Sequence, residues 1–367
     1  MRILIVSGAL YGHVNTVLPL ALAARDAGHA TVVASGPDFV EHIERRGLRS
    51  WAVGMTHEEA GGNRQESWLD YFATTAERRV ADLLPMADRW KPELVIHEET
   101  ELAGAVVATL AGARHAVHGL GVMPPSRIWP VFVQAIGMLG VRCGVPNVAA
   151  RLAQAHYLHV CPSALQSDET PVWNNVLPLR PVAGLPELNE RLPDRLDRLP
   201  FPRTIHLSFG TVYNGNVAIL GQAIEGLGSL GANLIVTIGP NEDPSRCGPQ
   251  PAHICIEPYL PHTLLLPRCD LVVSHGGAGI MFGALSHGIA QLVIPQGADQ
   301  FLNADACTRS GAALTLAPDD TNARAINSAA RRLLDEPQFA AAARGVQAEI
   351  AAMPDAAAVL KQLTARA

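Results

Sequence analysis

Short, continuously apolar runs alternating with longer segments of helical period constrain this chain more than any other feature. Residues 2–7, 30–34, 50–53, 93–97 and 115–118 read as buried strands, with helices between them at 13–27, 38–46 and 101–111. Strands that are apolar throughout, rather than at every second position, belong to a parallel sheet covered on both faces. The pattern restarts further on, with strands at 204–208, 233–238, 271–274 and 291–294 and helices at 217–229 and 277–287. Two doubly wound α/β domains follow. In open sheets ligands bind beyond the carboxyl ends of the strands, so a cleft between two such domains is the expected site.

Between the two patterns, eight of the 27 prolines fall within residues 162–202. Proline ends regular elements, so this density predicts a linker and an extended crossing. The expected division is an acceptor-side domain at 1–185, a linker at 186–203, a second domain at 204–350 and a C-terminal helix at 351–367 that packs back on the first domain. A length of 367 residues suits two domains.

Composition narrows the partners. A net charge of −6, with no long basic run, supplies no field for a nucleic-acid backbone. The longest apolar stretch, residues 128–141, is interrupted by Pro130 and Gly137, too short and broken to span a bilayer. Only four apolar residues, Ile3 to Val6, precede Ser7-Gly8, so no signal-peptide core is read there and a cytoplasmic location is expected. Six cysteines without a Cys-x-x-Cys pair indicate neither a zinc site nor a disulfide framework.

Chemistry concentrates at strand ends. Gly12-His13 follows the first strand, and an imidazole there suits a general base. The run His97-Glu98-Glu99-Thr100 closes a later strand and offers an acid to orient that base, Glu98 first and Glu99 in reserve. The same carboxylates could serve only to cap the helix beginning near Glu101. His275-Gly276-Gly277-Ala278-Gly279 joins a strand to a helix, where exposed N–H groups bind phosphate oxygens. Ser208-Phe209-Gly210-Thr211 ends the first strand of the second half, and Asp299 with Gln300 offers sugar-binding groups beyond its last strand.

Taken with Tyr259-Leu260-Pro261-His262, these motifs resemble the family 1 inverting glycosyltransferases of the GT-B fold, the bacterial natural-product enzymes above all. The resemblance implies that His13 deprotonates an acceptor hydroxyl and that Glu98 is its acidic partner. It implies that Ser208, Gly210 and Thr211, and the start of the helix from His275 through Gly276, Gly277, Ala278 and Gly279 to Ile280, hold a nucleoside diphosphate. By the same resemblance Tyr259 and Leu260 lie on the base, and Asp299 and Gln300 touch the donor sugar. The local positive potential would come from the helix start and His275. No Asp-x-Asp motif occurs, so metal-independent transfer without a cofactor is expected, from a dTDP- or UDP-sugar to a hydrophobic small molecule. A homodimer is left open.

Two departures from the family pattern bear on function. Ile280 stands where serine or threonine is usual and removes a hydroxyl from the phosphate site, and Glu98 replaces the commoner aspartate. Segments 55–72 and 119–141 are rich in aromatic residues and Met, so Trp68, Met123, Trp129 and Phe132 are expected in an apolar acceptor pocket. The alternatives are a nucleotide-sugar-binding accessory protein without turnover, motivated by Ile280, and another nucleotide-sugar enzyme of this fold, such as an epimerase.

Overall fold

The structure, a computed structural model, describes residues 1–60, 68–167, 173–182, 184–185, 190–210, 217–239 and 242–365. It divides into two compact α/β units. Unit 1 comprises Met1–Cys161, Gln166–Pro181 and Met353–Ala367, and unit 2 comprises Pro162–Leu165 and Val182–Ala352.

Unit 1 is built on a parallel sheet of β1 (Arg2–Val6), β2 (Ala30–Ser35), β3 (Arg49–Ala52), β4 (Leu94–Glu98), β5 (Arg114–His118), β6 (His156–His159) and β7 (Val176–Pro178), in the order β3-β2-β1-β4-β5-β6-β7. Its helices are α1 (Tyr11–Asp26), α2 (Val40–Glu44), α3 (Trp68–Trp90), α4 (Leu102–Leu110), α5 (Trp129–Arg142) and α6 (Val148–Leu152). The order reverses at β1, whose two neighbours are β2 and β4. There Val6 stands beside His97, so the loop leaving β1 and the last residue of β4 are adjacent. Every residue of β4 is buried, as its unbroken apolar pattern requires, and this includes His97 and Glu98.

Unit 2 repeats the plan with β8 (Thr204–Ser208), β9 (Asn233–Thr237), β10 (Ile254–Glu257), β11 (Leu271–Ser274), β12 (Ala290–Val293) and β13 (Ala313–Thr315), ordered β10-β9-β8-β11-β12-β13. Its helices are α7 (Val217–Gly228), α8 (His262–Leu265), α9 (Ala278–Ser286), α10 (Gln300–Arg309), α11 (Ala323–Asp335) and α12 (Pro337–Ala352). The last helix, α13 (Ala356–Thr364), belongs to unit 1 and packs on α1. Arg114 of β5 donates to the carbonyls of Leu363 and Ala365 at its end.

The proline-rich stretch differs from its reading as a linker. Val176–Pro178 is an edge strand, where proline is tolerated because no partner needs its missing N–H. Further along, Leu196 is buried with Ile235, Cys255, Leu260 and Leu265, and Arg195 and Asp197 pair with Glu257 and Arg268. Those residues are packed on unit 2. The apolar stretch 128–141 is helix α5, and no helix among the described residues is long and apolar enough to cross a membrane. All six cysteines are free thiols.

Candidate functional site

His13 lies in the first turn of α1, and its ring faces the end of β4. Its Nδ1 is 2.9 Å from Oε1 of Glu98. Glu98 has no exposed side-chain surface, while 16% of the His13 side chain remains accessible. Both carboxylate oxygens are engaged. Oε1 also accepts from the backbone N–H of Gly8 at 3.2 Å, and Oε2 accepts from the N–H and hydroxyl of Thr100 at 2.7 and 2.8 Å. Burial alone would push the Glu98 pKa up. The charge and hydrogen bond of His13, with the two bonds from Thr100, outweigh burial and hold it at about 2. An ionised carboxylate only accepts, so Nδ1 of His13 carries a proton whether the ring is charged or neutral, and in the neutral ring the lone pair is on Nε2. Phe72 packs against the imidazole, ring centroids 5.7 Å apart.

Three buried glutamates within four residues are kept apart in role. Glu98 holds His13, whereas Glu99 accepts from the Tyr157 hydroxyl at 2.7 Å and belongs to the β6 side. Glu101 caps α4 through the N–H of Ala103 and forms a buried ion pair with Arg79. Helix capping therefore falls to Glu101, which leaves Glu98 to the imidazole. His97, on the same strand, packs against Gly104 of α4 and meets His115 at 2.8 Å, away from His13.

In unit 2 the join of β11 to α9 is built around His275. A Cβ on Gly210 would fall 2.7 Å from its ring, and one on Gly277 2.6 Å, so glycine is required at both positions for the imidazole to lie between the two loops. Gly210 also has a φ of +74°, a region that favours glycine. The N–H groups at the start of α9 come from Ala278, Gly279 and Ile280, with Gly277 as the N-cap. Burial pushes the His275 pKa down to about 4, against a weaker pull from Ser208. At neutral pH it therefore offers an N–H rather than a charge, and the positive potential expected of it falls to the helix start alone. Asn303 of α10 ties this loop to its neighbour, its amide donating to the Gly276 carbonyl and to Asp299 Oδ2, both at 2.9 Å.

Comparison with known proteins supplies the family. The family described as Erythromycin biosynthesis protein CIII-like matches with its N-terminal domain at residues 62–170 and its C-terminal domain at 221–366. The chain belongs to the bacterial natural-product glycosyltransferases of family 1. Among its curated relatives, an L-demethylnoviosyl transferase from Streptomyces niveus is 29% identical, covering 100% of this chain and 98% of the relative. A 10-deoxymethynolide desosaminyltransferase from Streptomyces venezuelae is 27% identical over 99% of this chain and 96% of its own. The crystal structure of the glycosyltransferase VinC in complex with dTDP superposes with a TM-score of 0.81 at 26% identity, covering 99% of this chain and 98% of that one. The glycosyltransferase thus has the GT-B fold.

The residues expected from sequence divide into several groups. His13 and Glu98 are in contact, and Gly276, Gly277, Ala278 and Gly279 form one helix start. Ser208 Oγ accepts from Gly210 N at 3.4 Å. Ile280 sends its side chain into a cluster with Leu266, Val272, Ala284 and Ile289, leaving its backbone at the helix start. Tyr259 is exposed, its hydroxyl donating to Glu190, whereas Leu260 is buried beside Leu265. Asp299 is exposed, but Oε1 of Gln300 takes the N–H groups of Gln296 and Gly297 and braces its own loop.

On the acceptor side the expectation is corrected. Met123 and Trp129 are buried in the core of the glycosyltransferase's unit 1, and Phe132 packs against that core, where α5 turns Trp129 towards Tyr157 and Trp173. The outer face of α5 instead borders an apolar groove of about 640 Å³ lined by Pro130, Val133, Met138 and Val141. Thr211 and the Trp68 side chain lie outside the described residues. Thr100 and Gly8 were not singled out from sequence. The only signal was a hydroxyl two residues after a strand-end glutamate.

Proposed function

We propose that the chain is an inverting O-glycosyltransferase that moves a hexose or deoxyhexose from a dTDP- or UDP-sugar to a hydroxyl of a small hydrophobic natural product. The observation that carries this reading is the 2.9 Å contact between His13 Nδ1 and the buried, ionised Glu98. Nε2 of His13 takes the acceptor's hydroxyl proton as its oxygen bonds to the anomeric carbon. The bond from that carbon to the diphosphate breaks on the opposite side, and its electron pair leaves with the nucleoside diphosphate, which gives inversion. Glu98 stabilises the imidazolium formed. The N–H groups at the start of α9 and the neutral His275 take up the leaving charge, so the step runs without a metal ion. The dTDP in the complex of the similar VinC supports a thymidine nucleotide as one donor.

Sugar transfer from dTDP- and UDP-hexoses to polyketide and flavonoid acceptors, followed by nucleoside diphosphate release, tests the reading. His13→Ala abolishes transfer, and EDTA leaves the rate unchanged. Equal transfer by wild type and His13→Ala removes His13 as the base. A rate lost to EDTA and restored by a divalent cation removes the metal-free mechanism. Donor binding without transfer or hydrolysis favours the accessory-protein alternative.

A further inference from the structure

We infer that Thr100 is a positioning residue, which locks the tautomer of His13 and the rotamer of Glu98 together. The inference rests on the reading of His13 as the base. The Thr100 hydroxyl lies 2.8 Å from Glu98 Oε2 and 3.2 Å from His13 Nδ1, so it touches both members of the pair. Its hydrogen goes to the carboxylate, because an ionised carboxylate has none to give. The hydroxyl's lone pairs are then directed to the Nδ1–H of His13, which is shared between Glu98 Oε1 at 2.9 Å and Thr100.

The consequence is a closed ring of polarity. Glu98 Oε2 is held by two donors from Thr100, Oε1 by Gly8 N–H and His13, and Nδ1–H faces two acceptors, Glu98 Oε1 and the Thr100 oxygen. If the ring carried its proton on Nε2 instead, the Nδ1 lone pair would face Oε1 at 2.9 Å, a repulsive contact in a buried site. Without the hydroxyl, Oε2 keeps one donor in place of two, the hold on the last torsion of the carboxylate weakens, and Nδ1–H loses its second acceptor. The β-hydroxyl of a residue two positions after a strand-end carboxylate reaches both groups because the chain turns there, between β4 and α4.

The test compares Thr100→Val, which keeps the shape and removes the hydroxyl, with Thr100→Ser, which keeps the hydroxyl. Thr100→Val is expected to lower kcat about tenfold, with the KM for donor and acceptor unchanged, and Thr100→Ser to return it to within about twofold of wild type. Independently of turnover, ring nitrogen-15 shifts of labelled histidine report the tautomer, with His13 assigned by comparison with His13→Gln. Wild type and Thr100→Ser are expected to show protonated Nδ1, and Thr100→Val a mixture. A Thr100→Val protein with wild-type kcat, or with reduced kcat but the wild-type tautomer, overturns the inference. Transfer retained in His13→Gln overturns the base assignment separately, and the nitrogen shifts still judge Thr100.

Discussion

Replacing Glu98 by glutamine removes one charge and almost no volume, which makes it the sharpest probe of the catalytic reading. The carboxylate accepts on both sides, from His13 and Gly8 at Oε1 and from Thr100 at Oε2. An amide has one oxygen. If that oxygen stays with the two Thr100 donors, its NH₂ group meets Gly8 N–H and His13 Nδ1. The ring then relieves the clash by moving its proton to Nε2, the atom that has to accept one. The fall of the Glu98 pKa from 4.5 to about 2 corresponds to ~3 kcal/mol favouring the ionised form in its native surroundings, with His13 the largest contributor working against burial. Losing even most of that at the transition state, where the imidazolium forms, lowers kcat about a hundredfold. The assay is the pH dependence of nucleoside diphosphate release with a transferring acceptor, under saturating donor. The glutamine variant is expected to fall about a hundredfold, with the acid limb of its profile moved to lower pH, because the charge that favoured the imidazolium is gone. A variant that turns over at the wild-type rate with an unmoved acid limb would show that the His13–Glu98 contact is structural.

Three further outcomes follow from the same geometry. Burial holds His118 at about 4 and His206 at about 3, so the unfolded chain binds their protons first as pH falls, and stability present above about 6.5 is lost towards 4. Each is expected to cost about 2 kcal/mol at pH 5, seen as a lower urea midpoint than at pH 7.5, and an unchanged midpoint would contradict their neutral burial. Gly210→Ala places a methyl group 2.7 Å from the His275 ring and strains a φ of +74°, so a loss of about 1–3 kcal/mol in stability and weaker dTDP binding by calorimetry are expected. Ile280→Thr adds a hydroxyl at the start of α9 but exposes a polar group to the cluster of Leu266, Val272 and Ala284. It is expected to tighten dTDP by about twofold to tenfold while lowering the melting temperature, and tightening without destabilisation would show that the side chain had left the cluster.

Much of this arrangement is legible in the sequence because it depends on period and punctuation. Apolar runs fix β1, β4, β8 and β11 as interior parallel strands, and the residues following them become the strand-end loops. His13, Glu98 and the His275 glycine turn are found by that logic alone. The failures come where a side chain's direction decides. A residue-type count places Trp129 in a pocket, but α5 is apolar on both faces and the count carries no information about which face turns inward. The core wins because Trp129 can close on Tyr157 and Trp173, while the outer face is left to Met138 and Val141.

The run His97-Glu98-Glu99-Thr100-Glu101 shows the same limit from the other side. Sequence ranks Glu98 ahead of Glu99 and puts Glu101 at a helix start, but it is their partners that separate the three in role. His13 is supplied by α1, Tyr157 by β6 and Arg79 by α3, each from a different distance along the chain. A buried carboxylate without a partner takes up a proton, so this sorting keeps the charge on Glu98, where His13 needs it. Arg79 is the partner that Glu101 needs inside the protein, for burial pushes the Glu101 pKa up and the guanidinium pulls it back down, while Glu98 is held ionised by His13 and Thr100.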